Sequence, residues 1–144
     1  MTFLLDVNVL IALIDPSHVS HEPAHRWFAT EGNRAWATCP LTENGVIRIV
    51  GHPKYPNTPG SPAVAAAIVS RLRKLPGHVF WPDELSLVAT DHLDPTQILT
   101  SAQVTDSYLL ALAVSHGDRL ATFDRRLSTK AVRGGRDAIH VISA

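Results

Sequence analysis

Phe3-Leu4-Leu5-Asp6-Val7-Asn8 opens the chain, and Leu120-Ala121-Thr122-Phe123-Asp124 stands near its end. Each is an apolar run of strand length that stops on an aspartate. Continuous runs of this kind, without alternation, suit strands buried on both faces of a parallel sheet. In an open α/β sheet, ligands gather outside the carboxyl ends of the strands. Two strands ending in Asp therefore aim two carboxylates into one crevice.

Working outward, Asn8–Ile14 reads as a short helix closed by Asp15-Pro16-Ser17. Ser20 caps a second helix that tolerates Pro23 in its first turn and stops at Gly32. Ala35–Thr38 is a second strand, and Leu41–Val50 a helix ended by Gly51 and His52-Pro53. The proline-rich stretch Pro53–Pro62 is a loop. Ser61-Pro62 then opens a helix reaching about Leu75, with Val64, Ile68, Leu72 and Leu75 on one face. Val79–Trp81 is a third short strand, followed over residues 82–100 by one short helix and a loop around Asp94-Pro95. Ala102–His116 is the clearest helix, turning Leu109, Leu110, Ala113 and Val114 inward and stopping at Gly117. Arg119–Phe123 and Ile139–Ile142 complete the strands. This alternation predicts an α/β fold, a three-layer α/β/α domain with a central, mainly parallel sheet of four to five strands. No repeat or linker divides residues 1–144, so one domain is expected.

Composition narrows the class. The chain is 45% apolar and 18% charged, which excludes a disordered tail. Its single cysteine, Cys39, excludes a disulfide framework and fits a reducing cytosol; its apolar and small neighbours read as those of a buried thiol. Asp6 interrupts the N-terminal apolar run and no basic segment precedes it, so no signal peptide is expected. Val7–Ile14 and Val64–Val69 are too short to span a bilayer. Thirteen basic residues balance thirteen acidic ones. If four acids sit in one site, the rest of the chain carries a surplus of about four positive charges, a modest footprint for phosphate contacts.

Four acids carry the chemistry. Besides Asp6 and Asp124, Glu43 lies early in its helix and Asp106 borders the buried face of the 102–116 helix. Singly, each has an ordinary explanation: Asp106 and Glu43 as first-turn acids opposing a helix dipole, Asn8 as a cap. Jointly, four carboxylates at one place repel each other unless cations are bound. The pattern points to a divalent-metal site and to metal-assisted hydrolysis of phosphodiesters. Thr122, two residues before Asp124, is placed to hydrogen-bond a ligand carboxylate or a metal water. No serine–histidine pair, cysteine nucleophile or phosphate-cradling glycine loop competes.

In this order the segments resemble the PIN-domain nucleases and, within them, the VapC-type toxins of bacterial toxin–antitoxin pairs. The resemblance is carried by Leu4–Leu13, by Leu41-Thr42-Glu43-Asn44-Gly45-Val46-Ile47-Arg48, by Gln103–Ala113 and by Leu120–Asp124. It implies an endoribonuclease dependent on Mg²⁺, with Mn²⁺ as a substitute, whose catalytic and metal-binding acids are Asp6, Glu43, Asp106 and Asp124. Asn8 and Thr122 match the family's polar supporting positions. The resemblance further implies a cytoplasmic homodimer, a VapB-like antitoxin whose C-terminal segment blocks the site, and structured RNA substrates such as tRNA or rRNA loops. The Pro53–Pro62 loop and residues 82–100 match less clearly.

Other readings stay open at this point. A phosphohydrolase using Asp6 as nucleophile wants a second Asp two residues on, where Asn8 stands. A phosphorylated signalling module wants an adjacent acidic pair, which Asp6-Val7 lacks. An RNA-processing nuclease keeps fold and metal but changes substrate, and a silent RNA- or protein-binding domain predicts a broken acidic set. Arg125 and Arg126, directly after Asp124, are placed to hold RNA phosphates or else form a solvated face. Arg71, Arg73 and Lys74 read as an ordinary exposed helix face, and Arg48 as a residue that meets RNA or the antitoxin, or pairs with Glu43. His21 and His25, at i, i+4, read as surface histidines at a helix entrance rather than metal ligands. The helices Leu41–Val50 and Val64–Leu75 leave room for an apolar groove between them, fit for an amphipathic partner segment.

Overall fold

The computed structural model describes residues 1–144. Five strands, β1 (Phe3–Leu5), β2 (Trp36–Thr38), β3 (His78–Phe80), β4 (Arg119–Thr122) and β5 (Ile139–Val141), form one wholly parallel sheet in the order β3-β2-β1-β4-β5. The helices are α1 (Val7–Ile14), α2 (His21–Thr30), α3 (Pro40–Val50), α4 (Pro62–Leu72), α5 (Ala102–Ser115) and α6 (Gly135–Ala138). No helix is long and apolar enough to cross a membrane.

Alternation along β1 builds two cores. Phe3 and Leu5 enter one with Val9, Leu10, Trp27, Val46 and Val69, so α1–α4 cover that face. Leu4 enters the other with Leu109, Leu110, Leu112, Leu120 and Ala138, beneath α5 and α6. Burial on both faces explains why the strands read as unbroken apolar runs. Each fully buried leucine of the sheet contributes about 1.5–3 kcal/mol. The chain lays β2 and β3 on one side of β1 and β4 and β5 on the other. The switch point of the winding, where crevices form in such sheets, thus falls between the carboxyl ends of β1 and β4.

Local chemistry sets the helix ends. Cys39 precedes Pro40 at the first helical position, and the Thr42 hydroxyl accepts from Cys39 N at 3.0 Å. Cys39 is buried, and burial pushes its thiol up, as suits an inert core residue. Gln103 Oε1 accepts from the backbone N–H of Leu99 and of Thr100, folding the chain just ahead of α5 back onto its first turn. Gly117 ends α5 with φ +70°, a conformation costly for a side-chain-bearing residue. His21 and His25 bind the carbonyls of Ala12 and Leu13 at 2.7 and 2.8 Å, closing the last turn of α1. These histidines are structural caps rather than plain surface residues.

Three expectations need correction. α4 ends at Leu72, because Lys74 and Leu75 tighten into i−3 bonds to Arg71 and Leu72. Its buried stripe is Ala65 and Val69, while Val64 and Leu75 are each 43% exposed. A helix rich in Ala and Val on every side does not reveal its inner face by periodicity. Residues 82–100 hold no α-helix; their one helical turn is the 3-10 segment Pro95–Gln97, and Leu93 bridges Val132. The groove expected between α3 and α4 is not mainly apolar: Val46, Val50, Ala65 and Val69 are buried there, and the cleft that remains is rimmed by the polar and charged side chains of Glu43, Ser70, Arg73, Lys74 and His78. The Pro53–Pro62 loop is irregular as expected, and Tyr55 and Asn57 tether it by donating to the Asp15 carboxylate.

Candidate active site

Asp6 leaves β1 and caps α1. Its Oδ1 accepts from Val7 N at 2.7 Å, its Oδ2 from the Thr122 hydroxyl at 2.8 Å, and its own N–H donates to the Ala121 carbonyl at 3.0 Å. Only 7% of the residue is exposed. Burial raises its carboxyl above the usual range and the Asp124 charge adds to this, while the Thr122 and Val7 donors oppose both.

Asn8 brackets the two strand ends. Its amide donates to Thr122 Oγ1 at 3.1 Å, and its Oδ1 accepts from Phe123 N at 3.2 Å. Thr122 in turn accepts from Asp124 N at 3.1 Å, and Asp124 Oδ1 from Arg126 N at 2.9 Å. The turn that carries Asp124, Arg125 and Arg126 is thereby fixed to β1. All three of these side chains are exposed.

Asp106 projects from the second turn of α5, half-buried. Burial first, then the charges of Asp6 and Asp124, push its carboxyl up to about 6. The charges of Asp6 and Asp124 thus reach Asp106, which groups the three carboxylates electrostatically at the switch point.

Glu43 is held by partners of its own. Its Oε2 accepts from the Thr38 hydroxyl at 2.6 Å, and both oxygens lie 3.3 Å from Arg73 Nη1. The Thr38 proton is committed to Glu43, so His78 Nε2–H, 2.8 Å away, donates to Thr38 Oγ1. Burial, reinforced by Arg73 and opposed by Glu43, lowers the His78 pKa. Glu43 pairs with Arg73, not with Arg48, and Arg73 is no ordinary exposed cation. No three His, Cys, Asp or Glu side chains form a ready-made ligand set.

Sequence reasoning takes Arg73 for an ordinary exposed cation and passes over Thr38 and His78. Thr38 had a signal: it ends its strand near an acid, as Thr122 does. Arg73 and His78 lie 30 and 40 residues from their partners Glu43 and Thr38, with no local cue.

The donor set still suits a hard divalent cation. Asp6, Asp106 and Asp124 offer only oxygen, as Mg²⁺ and Mn²⁺ prefer. Asp106 is raised in part by its like-charged neighbours, a repulsion that a cation relieves.

Comparison with known proteins agrees with this architecture. The PIN domain family matches residues 3–132. Ribonuclease VapC39 of Mycobacterium tuberculosis is 43% identical over 134 residues, covering 93% of this chain and 96% of that protein. Ribonuclease VapC44 of the same organism is 42% identical over 134 residues, covering 93% and 94%. Ribonuclease VapC38 is 39% identical over 140 residues and covers 97% of both chains. With a parallel sheet in this order, acids at its switch point and relatives similar along almost its whole length, the chain belongs to the PIN-domain family, in its VapC-type branch.

Proposed function

We propose that the chain is a divalent-metal-dependent endoribonuclease, the toxin of a VapBC-type module, acting in the cytoplasm on structured RNA such as tRNA or rRNA. Residues 1–144 then form one catalytic PIN domain. The observation that carries the reading is the electrostatic cluster of Asp6, Asp106 and Asp124 at the sheet's switch point. The names of the VapC ribonucleases it resembles support the choice of RNA.

Asp6, Asp106 and Asp124 are assigned as the residues that hold the metal, with Glu43 completing the set. A bound Mg²⁺, or Mn²⁺ in its place, supplies acidification of a water and stabilisation of charge on the phosphate. The chain's residues do the rest. Thr122 and Val7 N–H orient the Asp6 carboxylate, and Asn8 locks α1 to β4 so that the acids keep their spacing. Thr38 and Arg73 orient and partly neutralise Glu43. Below about pH 6 the Asp106 carboxyl holds its proton and the cluster loses one negative charge. Arg125 and Arg126, exposed beside Asp124, are assigned to RNA phosphates. A homodimer held inactive by a VapB-like antitoxin completes the proposal on the family resemblance.

The test is cleavage of total RNA by the purified, antitoxin-free chain with Mg²⁺ or Mn²⁺. EDTA and Asp6→Asn serve as controls. Cuts at a few discrete sites that need metal and Asp6 are the expected result, and mapped ends identify the RNA. A folded, metal-supplied protein that leaves every RNA intact overturns the reading.

A further inference from the structure

β3 is an edge strand, and its last residue is aromatic and open to solvent. Phe80 is 42% exposed and Val79 44%. The Arg73 guanidinium lies over the Phe80 ring, 4.9 Å from its centroid, while also pairing with Glu43. Arg73 itself keeps 40% of its side chain exposed. Next to it runs a cleft of about 370 Å³ lined by Glu43, Ser70, Arg73, Lys74 and His78 over an Ile47–Val69 floor. His78 is fixed at the rim by Thr38 and by an edge-to-face contact with Trp36, centroids 4.7 Å apart.

Core packing does not require these features. An edge-strand phenylalanine left in water loses apolar burial, and the guanidinium over its ring adds a second planar group beside it. Unpaired nucleotides are bound by surfaces of this make-up, with aromatic and guanidinium planes for the base and adjacent cations for the phosphate. Paired bases are closed to it, because stacking needs a free base face. Glu43 faces Arg73, so the platform is continuous with the rim of the candidate site.

We infer that Phe80 and Arg73 form a stacking platform for one unpaired RNA base beside the scissile bond, with Lys74 holding its phosphate. This inference rests on the ribonuclease reading and adds to it a base contact made by side chains outside the acidic set. Arg73 then acts as a positioning residue with two contacts, one to the base and one to Glu43.

The test separates the two readings. Binding of a labelled oligoadenylate about ten nucleotides long is measured by anisotropy in an Asp6→Asn background with Mg²⁺, so that the probe stays intact. The same strand annealed to its complement is the comparator. Phe80→Ala is expected to weaken single-strand binding at least about fivefold, and Phe80→Tyr to retain it. Duplex binding is expected to be weaker and insensitive to both. Lys74→Gln is expected to lower the slope of log affinity against log salt by about 0.7. Phe80 is surface-exposed, and matching melting curves verify that both variants fold. If the parent chain cuts RNA but Phe80→Ala binds the strand as tightly as parent, the platform is wrong and the nuclease stands. If the parent neither binds nor cuts RNA, both readings fall. A Phe80→Ala chain with unchanged RNA affinity but an altered oligomeric state assigns the patch to a second copy and likewise overturns the platform.

Discussion

Replacing Asp106 by asparagine makes the metal-free protein more stable at neutral pH, although it removes a proposed metal-binding acid. Asp106 rises from an ordinary 3.8 to about 6, so ionising it in the folded chain is uphill by about 3 kcal/mol at 1.36 kcal/mol per pH unit. The side chain is only half-buried, and solvent screening reduces the recoverable part to about 1–2 kcal/mol. The sign follows from proton counting. The folded state holds the Asp106 proton more tightly than the unfolded state, so stability falls as pH rises from about 4 through 6 and levels off above. The amide that replaces the carboxylate carries no charge to penalise. In EDTA at pH 7.5, Asp106→Asn should melt about 3–7 °C above the parent, and at pH 4 the two should coincide. Adding Mg²⁺ should then raise the parent's melting temperature more than the variant's, because only a folded, loaded site gains from the ligand. Equal melting temperatures in EDTA at pH 7.5, or a gain undiminished at pH 4, would refute the raised Asp106 carboxyl, whose first cause is burial and whose second is the charge of Asp6 and Asp124.

Two further substitutions probe how the acids are held. Thr122→Val removes the hydroxyl that donates to buried Asp6, so it should cost about 1–3 kcal/mol in urea denaturation and move the acid limb of the cleavage profile to higher pH. An unmoved acid limb would show that Thr122 does not tune Asp6. Gly45→Ala places a Cβ 2.9 Å from Val7 Cγ2, where α3 crosses the start of α1. It should destabilise by about 1–3 kcal/mol and slow RNA cleavage by displacing Asp6 and Asn8; unchanged melting and cleavage would mean that the α1–α3 contact does not set the site's spacing.

Much of the frame was legible from local pattern. Residues 3–6 and 119–122 announced buried strands because both faces of the sheet are covered, and Gly117 marked the end of α5 because its positive φ disfavours other residues. Asp6 and Asp124 could be read as strand-end acids, since strand ends are where such sheets bind. What stayed hidden depends on residues far apart in sequence. Nothing near Glu43 announces Arg73, whose guanidinium arrives from the far end of α4, and nothing near Arg73 announces Phe80. The burial of α4 was misread for a different reason: small apolar residues fill most of its circumference, so its amphipathic signal is weak.

The central position of β1 has a consequence for how the protein is made. Asp6 and Asn8 are synthesised more than 110 residues before their partners Ala121, Thr122 and Phe123. Chains are built from the N-terminus, and a parallel pair so widely separated closes late. A nascent chain therefore carries half of the candidate site, with one edge of β1 still unpaired, until β4 is released. The translating ribosome, itself built of RNA, is thus beside an incomplete site until β4 has been made.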